Sequence, residues 1–284
     1  MTDAGKSVHF LNGELVGEEA LRVSVRDLGF MRGYAVFDFF ITYHSQPFLL
    51  HEHIERLFTS ASLIGLALPW STEEIAGFVR TTLEAQTTEG EKAVKVIVSG
   101  GIAHSLLPET KPTIAILVDP RHYYPKECYT KGVGFVTVEH TRYTPEAKTN
   151  NYIEGVRQAQ IAQKVGAIEP LYYDDLHVLE GSTSNVFAVI DGALVTPKTT
   201  ILKGITRSVV LTKLSLSAKP VERDFTIEEL RRAEEVFVTA SNKEIMPVTT
   251  LDGVPVGTGE VGPITKEVMK QFREYAEGVQ WHNT

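Results

Sequence analysis

Two residues near the middle of the chain can carry chemistry together: Lys148, in KTNNYIEGVRQAQ, and Glu180, in LEGSTSN. A lysine amine can hold an aldehyde cofactor as a Schiff base, while a carboxylate on the far side keeps a ring nitrogen protonated. Burial would lower the lysine pKa by desolvation and make the amine nucleophilic near neutral pH. Each residue also has a plainer reading. A lone lysine is most often a solvated surface charge, and a turn glutamate is most often a carboxylate in water. Gly181 allows close backbone approach, and Ser182, Thr183, Ser184 and Asn185 add short hydrogen-bonding groups. Such a turn can orient a carboxylate toward a buried cation.

Gly204-Ile205-Thr206-Arg207 precedes a helix expected from Ser208 onward. Free N–H groups and the helix dipole at such an end suit a phosphate, and Thr206 adds a hydroxyl. The same four residues also read as an ordinary turn with a threonine N-cap. Arg56, in HIERL, offers a planar, always-charged fork for phosphate oxygens, although a helix arginine is commonly just solvated. His53, on the same helix face, reads as a packed or surface histidine. No His/Asp/Glu cluster has metal-ligand spacing, so no metal is expected.

The elements that must position these residues follow from periodicity. Val8 to Val16 reads as a hairpin around Asn12-Gly13. Tyr34 to Tyr43 is an aromatic and β-branched strand that returns through HSQP to Phe48-Leu49-Leu50. Glu52 to Leu66 carries Ile54, Leu57, Phe58, Ala61 and Ile64 on one helical face. Ser71 and Glu74 are spaced as a capping box for a second helix. Strands are expected at Lys92–Ser99 and Thr113–Val118, joined by GGIAHSLLPETKP, a loop long enough to face a substrate.

DPRHYYPKE then reads as a linker, giving a small N-terminal domain over 1–119, a linker over 120–127 and a larger domain over 128–284. In the second part a strand from Gly132 to His140 delivers the chain to Lys148, which opens an amphipathic helix from Tyr152 to Val165. Strands follow at Pro170–Tyr173, Leu176–Leu179 and Val186–Ile190, with EGSTSN as a turn between the last two. Thr226 and Glu229 form another capping box before the strand Glu235–Thr239, and a helix from Pro263 to Tyr275 ends in a short polar tail. Strands and helices mix without strict alternation, which favours an α+β fold over a doubly wound sheet.

Composition removes whole classes of function. At 284 residues, 43% hydrophobic and 23% charged, the chain is of ordinary globular make-up. A net charge of −8 with no basic tract argues against nucleic-acid binding. No secretory signal and no apolar run of the roughly 20 residues a membrane span requires is visible. The one cysteine, Cys128, cannot form an internal disulfide and fits a reducing cytoplasm.

HIERL, KTNNY, LEGSTSNVF, LKGITR and TASNKEIMPV, in that order, resemble the class IV aminotransferases of pyridoxal-phosphate fold type IV. That family includes branched-chain and D-amino acid aminotransferases and aminodeoxychorismate lyase. The resemblance implies two α/β domains with pyridoxal 5′-phosphate in the interdomain cleft, and a homodimer whose partner loop closes each site. It implies that Lys148 is the Schiff-base lysine and moves the proton between the substrate Cα and the cofactor C4′. Glu180 would pair with the pyridine nitrogen. Arg56, the Ile205 and Thr206 amides and Ser241 would hold the phosphate, and Tyr152 the phenolic oxygen, with Ser184 and Asn185 also on the cofactor side. Phe37, His104 and Asn242 would face the substrate.

The lyases usually carry arginine where Tyr152 stands, so the chain resembles a transaminase more closely. Branched-chain enzymes typically show FEG at Phe37-Asp38-Phe39, and this sequence departs from that. In the loop after the third strand, Ile102 stands where the usual D-amino acid pattern has arginine, although His104 is retained. LGFMRGYAVFDFF looks like a divergent D-amino acid subgroup, in which Arg32, reaching across the dimer, would bind the substrate α-carboxylate. An interface salt bridge accounts for Arg32 equally well. The expected reaction is transamination between an amino acid and a 2-oxo acid, D-amino acids placed ahead of branched-chain L-amino acids and of the lyase reaction. A phosphate-binding protein in which Lys148 and Glu180 are structural is the non-enzymatic alternative.

Overall fold

Asn12 and Gly13 both take positive φ, 51° and 106°, so β1 (Val8–Leu11) and β2 (Glu14–Gly17) close through the tight turn their residues demand. The structure is a computed structural model that describes residues 7–278. The chain forms two compact units. One takes in the residues up to His122 together with Glu146–Asn151, and the other holds Tyr123–Pro145 and the residues from Tyr152 on.

In the first unit α1 (Leu28–Arg32) is capped by Asp27, which accepts from the Gly29 amide at 2.7 Å and the Ser99 and Thr113 hydroxyls at 2.8 Å. Next come β3 (Ala35–Tyr43), β4 (Gln46–Pro47), α2 (Leu50–Leu63), α3 (Thr72–Glu84), β5 (Lys92–Ser99) and β6 (Thr113–Pro120). The six strands run β2-β1-β6-β5-β3-β4 in one antiparallel sheet. Ile54, Leu57, Ile75 and Val79 of the two long helices pack on Val36, Phe40, Val94, Val96 and Val98, and all are buried. The capping box at Ser71 and Glu74 forms as the spacing predicts. The strand after β3 differs from expectation. Only Gln46–Pro47 pairs with it, Leu49 adopts a left-handed φ of 49°, and Leu50 already starts the helix.

The second unit holds α4 (Glu127–Thr130), β7 (Val133–Glu139), α5 (Ile153–Lys164), β8 (Glu169–Tyr173), β9 (Val178–Gly181), β10 (Asn185–Ile190) and β11 (Ala193–Thr196). It continues through α6 (Ile205–Thr212), β12 (Val221–Glu222), α7 (Ile227–Arg231), β13 (Glu235–Ala240), β14 (Glu244–Leu251), β15 (Val254–Pro255) and α8 (Pro263–Gly278). Its sheet has nine strands, with β7 parallel to both neighbours, and β9 pairs with β10 as well as β8. Thr226 and Glu229 cap α7 reciprocally. The mixture of parallel and antiparallel pairs with helices at the faces is the α+β arrangement expected. The last residues of the polar tail lie outside the described residues.

Two boundaries move because of pairing that periodicity does not reveal. β6 runs on to Pro120 through the first residues assigned to a linker, held by Lys92 of β5. The segment Glu146–Asn151 packs with the first unit.

Candidate active site

Lys148 does not open α5. It lies on an extended segment beside β3, where Thr149 bridges Val36, the Phe37 amide donates to the Lys148 carbonyl at 2.9 Å and the Asn150 amide to the Ala35 carbonyl at 3.0 Å. The Lys148 amide in turn donates to the buried Ser60 hydroxyl of α2 at 3.0 Å. Both backbone groups of Lys148 are thus committed, which fixes the origin of its side chain. Its Nζ sits 4.6 Å from the centroid of the Phe37 ring, a cation–π arrangement.

Next to Phe37, Asp38 points the other way, into the face covered by α2. Its carboxylate is fully buried and accepts from Arg56 Nε at 2.8 Å, Arg56 Nη2 at 2.7 Å and His53 Nδ1 at 2.6 Å. Burial alone would raise the Asp38 pKa, but the Arg56 guanidinium and His53 outweigh it and hold the carboxyl far below its usual range. His53 is pushed down, first by burial and also by the nearby Arg56 and Lys148 charges, against the pull of Asp38. It therefore stays neutral at pH 7.

The buried pair also makes stability depend on pH. The folded Asp38 titrates below the ~3.9 of an unfolded aspartate. Its contribution is therefore full above about pH 4 and is lost as the pH falls toward the lowered value. Asp38→Asn leaves Arg56 buried without its anion, at a cost of about 3–5 kcal/mol. In urea titrations the gap between wild type and Asp38→Asn is expected to be constant from about pH 8 to about pH 5 and to shrink below about pH 4. A gap that moves between about pH 8 and about pH 5 would show that Asp38 does not keep its charge.

In the second unit Glu180 lies within β9, paired with Asn185 of β10, rather than in the turn, which is confined to Ser182–Ser184. The carboxylate is 6% exposed and paired with Arg142, whose Nε is 2.9 Å from Glu180 Oε1. Glu180 Oε2 accepts from the Leu202 amide at 3.0 Å and Asn185 Nδ2 at 3.4 Å. Asn185 Nδ2 also donates to the Leu202 carbonyl at 2.8 Å. A side chain on Gly204 would place Cβ 2.0 Å from Asn185 Oδ1, so only glycine fits where the chain enters α6. The carboxylate and the start of that helix are therefore built against each other.

α6 starts at Ile205, not after Arg207, so the four residues read as a turn are its N-cap and first turn. Gly204 is the N-cap and no side chain caps the helix. Thr206 is buried, and Arg207 is buried with Nη2 on the Pro197 carbonyl at 2.7 Å and Glu222 at 2.8 Å. An uncapped helix start beside a buried hydroxyl is suited to a phosphate, and a buried carboxylate to a ring N–H. The residues present thus fit pyridoxal 5′-phosphate.

The other expected residues are placed as follows. Tyr152 is the N-cap of α5, and Gly155 leaves room for its ring, since a Cβ there would lie 3.2 Å from Tyr152 Cδ1. Ser184 donates to Glu169 at 3.1 Å, in a buried network completed by Lys243 2.9 Å from the other carboxylate oxygen. Ser241 and Asn242 lie in the turn between β13 and β14, where Asn242 Nδ2 reaches Tyr124 Oη at 3.5 Å. Arg32 is exposed and donates to the Met31 carbonyl at 3.0 Å. His104 is exposed and paired with Glu109 at 3.0 Å, in the loop whose Ile102 bridges Asp27.

Sequence reasoning missed Arg142, Asp38 as the partner of Arg56, and the Glu169–Lys243 pair. Asp38 was detectable as the one carboxylate in an apolar strand. Nothing in RYTP marks Arg142.

Comparison with known proteins shows the family. A family model described as amino-transferase class IV matches residues 35–251. A D-alanine aminotransferase of Staphylococcus aureus (strain MW2) is 35% identical over 277 residues, covering 94% of this chain and 97% of that protein. The branched-chain aminotransferase of Thermoproteus uzoniensis, solved with norvaline, superposes with a TM-score of 0.89 at 30% identity, covering 96% of each chain. A branched-chain amino acid aminotransferase from T.th., solved with pyridoxamine 5′-phosphate, also superposes at 0.89, with 25% identity over 97% of this chain and 96% of that one. The chain belongs to the class IV aminotransferases and is a pyridoxal-phosphate-dependent enzyme of fold type IV.

Proposed function

We propose that the chain moves an amino group between a D-amino acid, such as D-alanine or D-glutamate, and a 2-oxo acid such as 2-oxoglutarate or pyruvate. The observation that carries the D-amino acid reading is the 35% identity to a D-alanine aminotransferase over nearly the whole of both chains. Pyridoxal 5′-phosphate, when bound, supplies an aldehyde carbon that bonds amino groups and a ring that takes up electrons from the substrate Cα.

The chain's own residues do the rest. Lys148 attaches the cofactor and moves a proton at the substrate Cα, a role supported by its double backbone anchorage. Glu180 holds the proton at the ring nitrogen, a role supported by its burial and by its ion pair with Arg142. Arg56, the Ile205 and Thr206 amides and Ser241 bind the phosphate, Tyr152 the phenolic oxygen, and Asn185 braces Glu180 with Ser184 behind it. Phe37, Asn242, His104 and Arg32 face the substrate, with Arg32 on its α-carboxylate. Arg32→Ala is then expected to lower kcat/KM for D-alanine by about tenfold or more, the loss of a charge-assisted pair, with Tm unchanged. An unchanged kcat/KM would remove Arg32 from the site.

The reading includes a homodimer in the cytoplasm. Exposed Phe30, Leu106 and Leu107 on the first unit, each at least 73% accessible, support a self-association surface. The single cysteine suits a reducing compartment.

The likeness to branched-chain enzymes favours a second reading, transamination of branched-chain L-amino acids. Stopped-flow half-reactions with D-alanine, D-glutamate, L-leucine and L-glutamate separate the two. Conversion of the cofactor's visible band by the D-enantiomers alone is expected, and conversion by L-leucine but neither D-amino acid would establish the branched-chain reading instead.

A further inference from the structure

We propose that Asp38 is the positioning residue that makes Arg56 a receptor for a phosphate monoester, and that it sets how strongly the chain prefers the phosphorylated cofactor to its unphosphorylated form. The inference rests on the reading that Arg56 touches the cofactor phosphate.

Both oxygens of Asp38 are committed to one edge of the guanidinium: Oδ2 takes Nε–H at 2.8 Å and Oδ1 takes Nη2–H at 2.7 Å. Two parallel bonds to a planar group fix its plane as well as its position. The clamp thereby holds the rest of the guanidinium, Nη1 and the second hydrogen of Nη2, in a single orientation. Asp38 itself has little room to move. Its side chain is 0% exposed, and Oδ1 also receives His53 Nδ1 at 2.6 Å and the Phe39 amide at 2.7 Å. Since Nδ1 carries the hydrogen shared with an anionic Asp38, the His53 ring is locked by that bond, and its buried Nε2 has no hydrogen-bond partner among the described residues.

The clamp has two opposed effects on an incoming phosphate. The Asp38 charge offsets part of the guanidinium's attraction for an anion. Against this, an arginine on a helix has several rotatable bonds, and ordering them on folding removes that entropy loss from the binding step. In a nearly dry position, two aligned charge-assisted hydrogen bonds outweigh the attraction of a mobile charge. Orientation is the larger effect here.

The experiment measures dissociation constants of the stripped enzyme for pyridoxal 5′-phosphate and for pyridoxal, by titration of the visible band, and takes their ratio. Arg56→Ala tests the underlying reading: the preference for the phosphorylated form is expected to fall by about a hundredfold. An unchanged ratio in that variant would show that Arg56 does not touch the phosphate, and the inference would fall with it.

Asp38→Asn and Arg56→Lys test the clamp. Each is expected to lower the preference by about tenfold or more while leaving pyridoxal affinity within about threefold of wild type. Equal weakening of both ligands would make Asp38 a merely structural residue. A ratio kept at the wild-type value, or raised, would show that charge and not orientation binds the phosphate. Either result overturns the proposal. Arg56→Lys keeps both buried charges, so it decides the question alone should Asp38→Asn not fold.

Discussion

Lys148→Ala is expected to abolish transamination while leaving the fold intact. Loss of a positioned proton-transfer group alone lowers a rate by roughly 10²–10⁴-fold, and loss of covalent attachment adds to that. The fold survives because the bonds that anchor this segment are main-chain: the residue's amide on Ser60 Oγ and its carbonyl under the Phe37 amide persist in alanine. What disappears is the amine 4.6 Å from the Phe37 ring. The expected result is a Tm within a few degrees of wild type in the absence of cofactor, together with undetectable turnover of D-alanine. A variant that keeps even a tenth of the wild-type kcat would move the chemistry to another lysine.

Glu180→Gln is expected to have the next largest effect, and it acts in two ways that can be separated. It removes the charge proposed to hold a proton on the ring nitrogen, a preorganised electrostatic interaction worth roughly 10²–10³-fold in kcat. It also strands Arg142, whose guanidinium is 16% exposed and whose bond to Glu180 Oε1 is 2.9 Å long. Breaking one side of a buried pair costs about 3–5 kcal/mol. Glu180→Gln/Arg142→Met removes both charges and is expected to recover most of the lost Tm and none of the lost kcat. Recovery of activity along with stability would mean that Glu180 serves only the ion pair.

How much of this arrangement is legible in advance depends on how local its cause is. The Asn12-Gly13 turn and the capping boxes at Ser71 and Thr226 form as read, because each is set by residues at most three or four apart. The element around Lys148 does not. KTNNY precedes an apolar periodic run, so it reads as a helix entrance, yet its backbone pairs with β3, a strand more than a hundred positions earlier. Glu180 likewise reads as a turn residue because of the small polar residues that follow it. Its strand exists because β8 and Asn185 supply the partners.

The partners of the candidate site residues are the least legible part. Arg56 stands out by its charge, but the sheet-to-helix contact that brings Asp38 beneath it depends on packing α2 on β3. Arg142 sits in an irregular connection with no periodicity to read, and only the folded second unit brings it to Glu180. Residue type indicates chemistry; the orientation of that chemistry comes from contacts distant in sequence.

The attachment point of the cofactor tests the account most directly. The enzyme loaded with pyridoxal 5′-phosphate is reduced with borohydride, digested and mapped by mass spectrometry. The cofactor is expected on Lys148 alone, within the peptide that continues into TNNYIEGVR. Modification of Lys95, Lys243 or another lysine with Lys148 left bare would contradict it.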